Sequence, residues 1–193
     1  MFRAGQRAYQ ELRTEIEAET TFTRNFENVF VSGLLQTPEY ARSRLGEGLA
    51  DIGASDDLDD AVAARMHRQQ VLYQAGRTFH FVVTEAALRY RLCPAEVMAG
   101  QLDRLVSVST LKTIRFGVIP FEVQLPVAPV HGFWIYDDRV VHVEHLTAEL
   151  KITQPREVAT YLTLFARLAE VARYDSDARA LITRVLTDLV ATM

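Results

Sequence analysis

Gly132-Phe133-Trp134-Ile135-Tyr136-Asp137-Asp138-Arg139-Val140-Val141-His142-Val143-Glu144-His145-Leu146 reads as a β-hairpin. Aromatic and β-branched residues fill both arms, and Asp137-Asp138 supplies the turn between them. Sheet is therefore the frame of the fold. Working outward, residues 112 to 120 predict a strand ended by Pro120, and the proline-spaced segment 120 to 130 is the loop into the hairpin. Thr78 to Thr84 predicts another strand, and Phe26 to Val31 a short one broken at Ser32-Gly33.

Helical spacing fills the rest. Tyr9, Leu12, Ile16 and Thr20 place a narrow apolar stripe on a charged helix over 4 to 21, suited to dimerisation or partner docking. Thr37-Pro38-Glu39 opens a helix through Leu45, with an N-cap, a proline at the first helical position and an acid in the first turn. Val62, Met66, Gln69 and Leu72 or Tyr73 mark a helix over 58 to 75 that Gly76 stops. Pro94 to about Leu111 carries Val97, Leu102, Leu105 and Val106 on one face. Gln154-Pro155 opens a helix with Val158, Tyr161, Leu162, Phe165, Leu168 and Ala169 inward, and Ser176-Asp177 caps a last one carrying Leu181, Ile182, Val185, Leu186 and Leu189. Without a strict βαβ rhythm, these elements predict an α+β fold. The expected form is a mainly antiparallel sheet of about five strands packed with about six helices on one face, in a single domain over 1–193. The stretch 46 to 57, with three glycines and Asp56-Asp57, is expected to be a mobile loop within it.

Composition narrows the function classes. The 193 residues are 49% hydrophobic and 24% charged, enough for a sizeable core without disulfides. A net charge of −4 offers no overall cationic field for a nucleic-acid backbone or an anionic membrane. No apolar run nears the roughly 20 residues that span a bilayer. Cys93 is the single cysteine, and Met1-Phe2-Arg3-Ala4-Gly5 lacks the apolar core of a signal peptide, so a cytoplasmic location is expected. Arginine almost excludes lysine, which suggests a GC-rich coding genome.

No glycine-rich phosphate loop, paired-cysteine motif or His-Glu-x-x-His is present, so neither a cofactor nor a metal is expected. On a strand, His142 and Glu144 share one face while His145 takes the other, which favours a hydrogen-bonded role over a metal site. Cys93, before Pro94 at a helix start, is favoured as a packed thiol. Glu85, just after a strand, and Glu144, within the hairpin, are the two carboxylates that could act as acid and base if the strand order brings them together. The simpler expectation is that each pairs with an arginine. Arg65, Arg68 and Gln69 form a polar cluster beside Val62 and Met66, favouring an internal ion-pair network. Trp134 and Tyr136 would wall an aromatic pocket for a small organic ligand, closed by Arg68, Glu85 or Glu144.

The segment Val31-Ser32-Gly33-Leu34-Leu35-Gln36-Thr37 resembles the Val-Pro-Gly-Leu-Leu-Gln-Thr motif of actinobacterial WhiJ-like transcription regulators. Arg68-Gln69, Glu85-Ala86-Ala87-Leu88 and Val143-Glu144 are similar to further motifs of their C-terminal domain. The order continues through Gln101-Leu102-Asp103-Arg104-Leu105, Val118-Ile119-Pro120-Phe121 and Ala178-Arg179-Ala180-Leu181-Ile182, so the likeness covers nearly the whole chain. Ser32 stands where the motif usually has proline. Those regulators carry an XRE-type helix-turn-helix module ahead of this domain, and none is expected within the present sequence. The resemblance implies an effector domain that senses a small organic ligand or a small partner protein, that does not bind nucleic acid alone, and that could form a homodimer. It carries over no catalytic residues. On this reading Arg65, Arg68, Gln69, Glu85, Gln101, Trp134, Tyr136 and Glu144 are the ligand-binding candidates. The alternative is a cyclase- or isomerase-like enzyme of specialised metabolism, with Glu85 or Glu144 as the acid or base in the same pocket.

Overall fold

The computed structural model describes residues 16–17, 19–46, 58–145 and 149–193. The expected helix over 4 to 21 lies almost wholly outside the described residues, as do positions 47 to 57 of the glycine-rich stretch. Seven strands form one sheet: β1 (Phe22–Glu27), β2 (Thr78–Thr84), β3 (Ile114–Ile119), β4 (Phe133–Tyr136), β5 (Val140–Glu144), β6 (Glu149–Ile152) and β7 (Arg173–Tyr174). Among the described residues the helices are α1 (Pro38–Gly46), α2 (Leu58–Arg68), α3 (Glu85–Arg89), α4 (Ala95–Val108), α5 (Pro155–Glu170) and α6 (Asp175–Val190). Single 3-10 segments at Gly33–Leu35 and Gln69–Tyr73 complete the described elements.

The sheet overturns the expected one. Its order is β6-β5-β4-β1-β2-β3-β7. β1, β2 and β3 run parallel, whereas β4, β5, β6 and β7 join antiparallel. A seven-stranded mixed sheet thus replaces a mainly antiparallel sheet of about five strands, while the α+β content stands. Helices separate β1 from β2 and β2 from β3, and such crossovers let neighbouring strands run in one direction. Periodicity alone does not reveal which strands become neighbours. The two strands missing from the sequence reading are edge strands: β6 is the mixed Glu-Leu-Lys-Ile, and β7 has two residues.

β1 begins earlier than expected and stops at Glu27, so the predicted strand over 26 to 31 overlaps it by two residues. Beyond it the chain leaves the sheet, held where Asn28 Nδ2 donates to Pro129 O (2.8 Å) and Thr84 Oγ1 donates to Asn28 O (2.9 Å). Helix α2 ends at Arg68 and tightens into the 3-10 turn, so the helix expected to run to residue 75 is divided.

Side chains alternate across the sheet and feed two cores. On one face Phe79, Phe81, Val83, Phe116 and Val118 pack with Leu102 and Leu105 of α4 and Leu181, Ile182 and Val185 of α6. On the other, Phe26, Val82, Ile119, Phe133, Ile135, Val141 and Val143 meet Val158, Phe165 and Leu168 of α5. The helices therefore cover both faces, not one. This also explains the burial of β2, a central strand in which Phe79 to Thr84 are all buried and Phe79, Phe81, Val82 and Val83 supply the apolar side chains.

Asp137 and Asp138 both hold positive φ (46° and 56°), the two-residue geometry whose twist matches a hairpin. The Asp137 carboxylate then reaches β1. Its Oδ1 accepts from Thr21 N (3.0 Å), Thr21 Oγ1 (2.8 Å) and Phe22 N (2.8 Å). Burial opposes ionisation of Asp137, but these hydrogen bonds outweigh it and hold its carboxyl below the usual value. Replacing Asp137 by glycine keeps the turn's backbone accessible and removes the docking carboxylate. Urea unfolding of Asp137→Gly is expected to show a loss of about 1–3 kcal/mol; an unchanged midpoint would remove this anchor from the account.

Candidate functional site

β1 is where the strand order reverses. The chain steps from β1 to β2 on one side, and later returns to place β4 on the other. In open sheets, such a point leaves a crevice beyond the carboxyl ends of the strands. Here the crevice is a cleft of about 230 Å³, lined by Glu27 to Phe30 as the chain leaves β1, by Val130, His131 and Gly132 before β4, and by Trp134 and Glu144. Gly132 has a steric reason: a Cβ there would collide with the Glu27 carboxylate and lie 3.1 Å from Phe26 O.

The floor is a register row. Asn25 pairs with Trp134, Trp134 with His142, and His142 with Lys151. Asn25 Nδ2 donates to Glu27 Oε1 (3.0 Å) and Phe133 O (3.1 Å), and His142 Nδ1 lies 2.7 Å from Glu149 Oε1. Asn25 Oδ1 and His142 Nε2 are buried without a hydrogen-bond partner among the described residues, on the two strands that flank Trp134. Groups of that kind are uncommon in folded proteins. Burial, and then the neighbouring Glu149 carboxylate, push the Glu144 carboxyl up to about 8. The imidazole of His131 stands 6.0 Å from the Tyr161 ring and 6.1 Å from His145.

Of the sequence candidates, Trp134 and Glu144 line this cleft. Tyr136 stacks on Trp134 at 6.2 Å but lies outside the lining. Arg68 Nε donates to both oxygens of Glu17 (3.0 and 2.8 Å), a buried ion pair, with its guanidinium 5.7 Å from the Trp134 ring. Of the expected cluster of Arg65, Arg68 and Gln69, Arg68 is in an ion pair with an acid 51 residues away in sequence, and Arg65 and Gln69 hydrogen-bond to Gln36 and to main chain. Glu85 is held elsewhere: Oε1 accepts from Arg89 Nε (2.7 Å) and Oε2 from Phe121 N (3.0 Å). Glu85 is not among the lining residues, so the cleft does not join it with Glu144.

The remaining candidates clamp the Val31 to Thr37 segment. Gln69 Nε2 donates to Gly33 O (3.1 Å) and Gln36 O (2.8 Å), and Gln101 Nε2 donates to Leu35 O (2.9 Å). Gln101 Oε1 accepts from Thr37 N (2.8 Å), and Arg65 donates to Gln36 Oε1 (2.7 Å). Buried main-chain groups of an irregular segment need such partners. Sequence reasoning missed Glu27, Asn28, His131 and Gly132 in the cleft. Gly132 was the available signal, a glycine directly before an aromatic strand. Among the described residues, no group of three or more His, Cys, Asp or Glu side chains is placed to hold a metal ion. No helix among them is long and apolar enough to cross a membrane.

Residues 10–184 match the family model described as a domain of unknown function, DUF5753. The chain belongs to that family. No curated protein matches this DUF5753 chain in sequence. Among solved structures it is similar to TrmBL2, an archaeal chromatin protein described as showing a novel mode of DNA binding. That similarity has 15% identity and a TM-score of 0.39, and covers 88% of this chain and 51% of the other, so the chain spans about half that protein's length.

The Glu144 carboxyl sets a pH dependence. Its folded value of about 8 lies above its ordinary 4.5, so between these limits the folded chain holds a proton that the unfolded chain has released. Stability conferred by that proton is present below the ordinary value and is lost as pH rises through the folded value. Urea unfolding from pH 5 to 9 is expected to show this decline, and Glu144→Gln to flatten it; equal slopes in both proteins would contradict the assignment.

Proposed function

We propose that this DUF5753 chain is a regulatory sensing domain whose cleft beside β1 receives a small organic ligand, and that it does not bind DNA by itself. The observation that carries this reading is the cleft at the reversal of strand order, with Trp134, His131, Glu27 and Glu144 on its walls. The buried polar atoms of Asn25 and His142 flanking Trp134 support it, as does the resemblance to effector domains of actinobacterial regulators. A ligand there touches both the parallel and the antiparallel halves of the sheet, so binding can bias how the hairpin sits on β1. The enzymatic alternative has one specific support. A carboxyl raised to about 8 is protonated at neutral pH and can donate a proton, the requirement for a general acid.

Trp134 is the single tryptophan and lines the cleft, so its fluorescence reports occupancy directly. Titration with a defined set of aromatic amines, alcohols and amides is expected to give saturable changes in Trp134 emission that Gly132→Val abolishes. A set without effect, or with effects that survive Gly132→Val, would reject the ligand reading. Sequence-specific binding of labelled duplex DNA by the chain would reject the second half of the proposal. Chemical conversion of a bound compound, lost in Glu144→Gln with binding retained, would decide for the enzyme.

A further inference from the structure

A second concavity lies on the opposite face of the sheet, beneath the C-terminal half of α5. Its floor is another register row: Arg24 of β1 pairs with His80 of β2, and His80 with Arg115 of β3. Neighbouring strands sit roughly 4.8 Å apart, which puts the two arginine backbones about 10 Å apart with the imidazole between them. Phe22, Leu162 and Phe165 form apolar walls around a groove of about 630 Å³.

The row is held in place by its neighbours. Tyr174 Oη donates its hydrogen to Ala169 O (2.9 Å), so the 2.9 Å contact between Tyr174 Oη and His80 Nε2 requires His80 to donate. Burial first, and then Arg115 and Arg24, lower the His80 imidazole to about 4, leaving it neutral. The Arg115 guanidinium lies 4.3 Å from the Tyr174 ring centre, and that of Arg24 lies 4.1 Å from Phe22. Arg24 is ion-paired with Asp138. Arg115 makes no ion pair among the described residues, so its planar fork of donors is uncommitted at the groove. Glu170, also on the lining, is exposed.

We propose that this groove is a second binding site, for a carboxylate carried on an apolar or aromatic body. The carboxylate takes the Arg115 fork, the geometry in which guanidinium and carboxylate form two parallel hydrogen bonds, and the body lies along Phe22, Leu162 and Phe165. Two arginines face Asp138 and Glu170 at the same groove, which suits a ligand with one negative charge better than a phosphate dianion. The site is independent of the Trp134 cleft, being on the other side of the sheet.

The test is a titration of the whole chain with benzoate, phenyl phosphate and inorganic phosphate, reading the His80 ring resonances by NMR and Trp134 emission in parallel. Benzoate is expected to shift His80 saturably without changing Trp134 emission. Arg115→Gln should weaken it by at least about ten-fold, as expected for losing a charge-assisted pair. Ala166→Trp, a change at an exposed position of α5 that fills the groove, should abolish the shift, with melting temperatures confirming that both variants remain folded. Equal benzoate affinity in Arg115→Gln, or no saturable shift in the parent chain, overturns the proposal. Tighter binding of either phosphate than of benzoate overturns the assignment to a carboxylate.

Discussion

The carboxylate of Asp137 is the constraint on which the architecture turns. It sits at the tip of a hairpin that arrives late in the chain, yet it accepts the main-chain N–H groups of Thr21 and Phe22 at the entry to β1. Through those bonds, a hairpin that could pair with any open edge is assigned to one side of β1 while β2 occupies the other. The reversal of strand order follows, and with it the cleft at the end of β1. A charged acceptor is well suited to the task, because its hydrogen bonds survive burial where a neutral acceptor would gain less.

Around this joint, polar side chains divide into two kinds. Gln36, Gln69, Gln101 and Arg65 are engaged with main chain or with one another, and they convert an irregular segment into a fixed surface for α2 and α4. Asn25 and His142 are of the other kind, each with one buried polar atom that has no hydrogen-bond partner among the described residues, beside a cleft that Trp134 and Glu144 line. A buried group with an unfilled requirement is where ligand chemistry can enter.

Much of the sheet's chemistry was legible one strand at a time. Thr78 to Thr84 is legible at its observed limits because all its residues except His80 are β-branched or aromatic, and the hairpin is legible because Asp137-Asp138 holds positive φ. β1 was displaced because its polar residues, Thr23, Arg24 and Asn25, look like loop until their partners on β2 and β4 are known. The sequence marks Glu144 and Trp134 but not Glu27 and His131. They reach the cleft from segments that carry no periodic signal of their own. Glu85 was a plausible companion for Glu144 only while strand order was unknown.

Stereochemistry and the spacing of residues close along the chain suffice for β2, for the apolar faces of the helices and for the turn at Asp137-Asp138. Family membership is also a property of the sequence, residues 10–184 of which match the DUF5753 model. Only the tertiary structure decided that β1, β2 and β3 run parallel, that α5 covers the second face, and that Glu27, Trp134 and Glu144 share a cleft while Arg24, His80 and Arg115 share a row. Strand adjacency is settled by burial and hydrogen bonding summed over distant segments, and no local pattern encodes that sum.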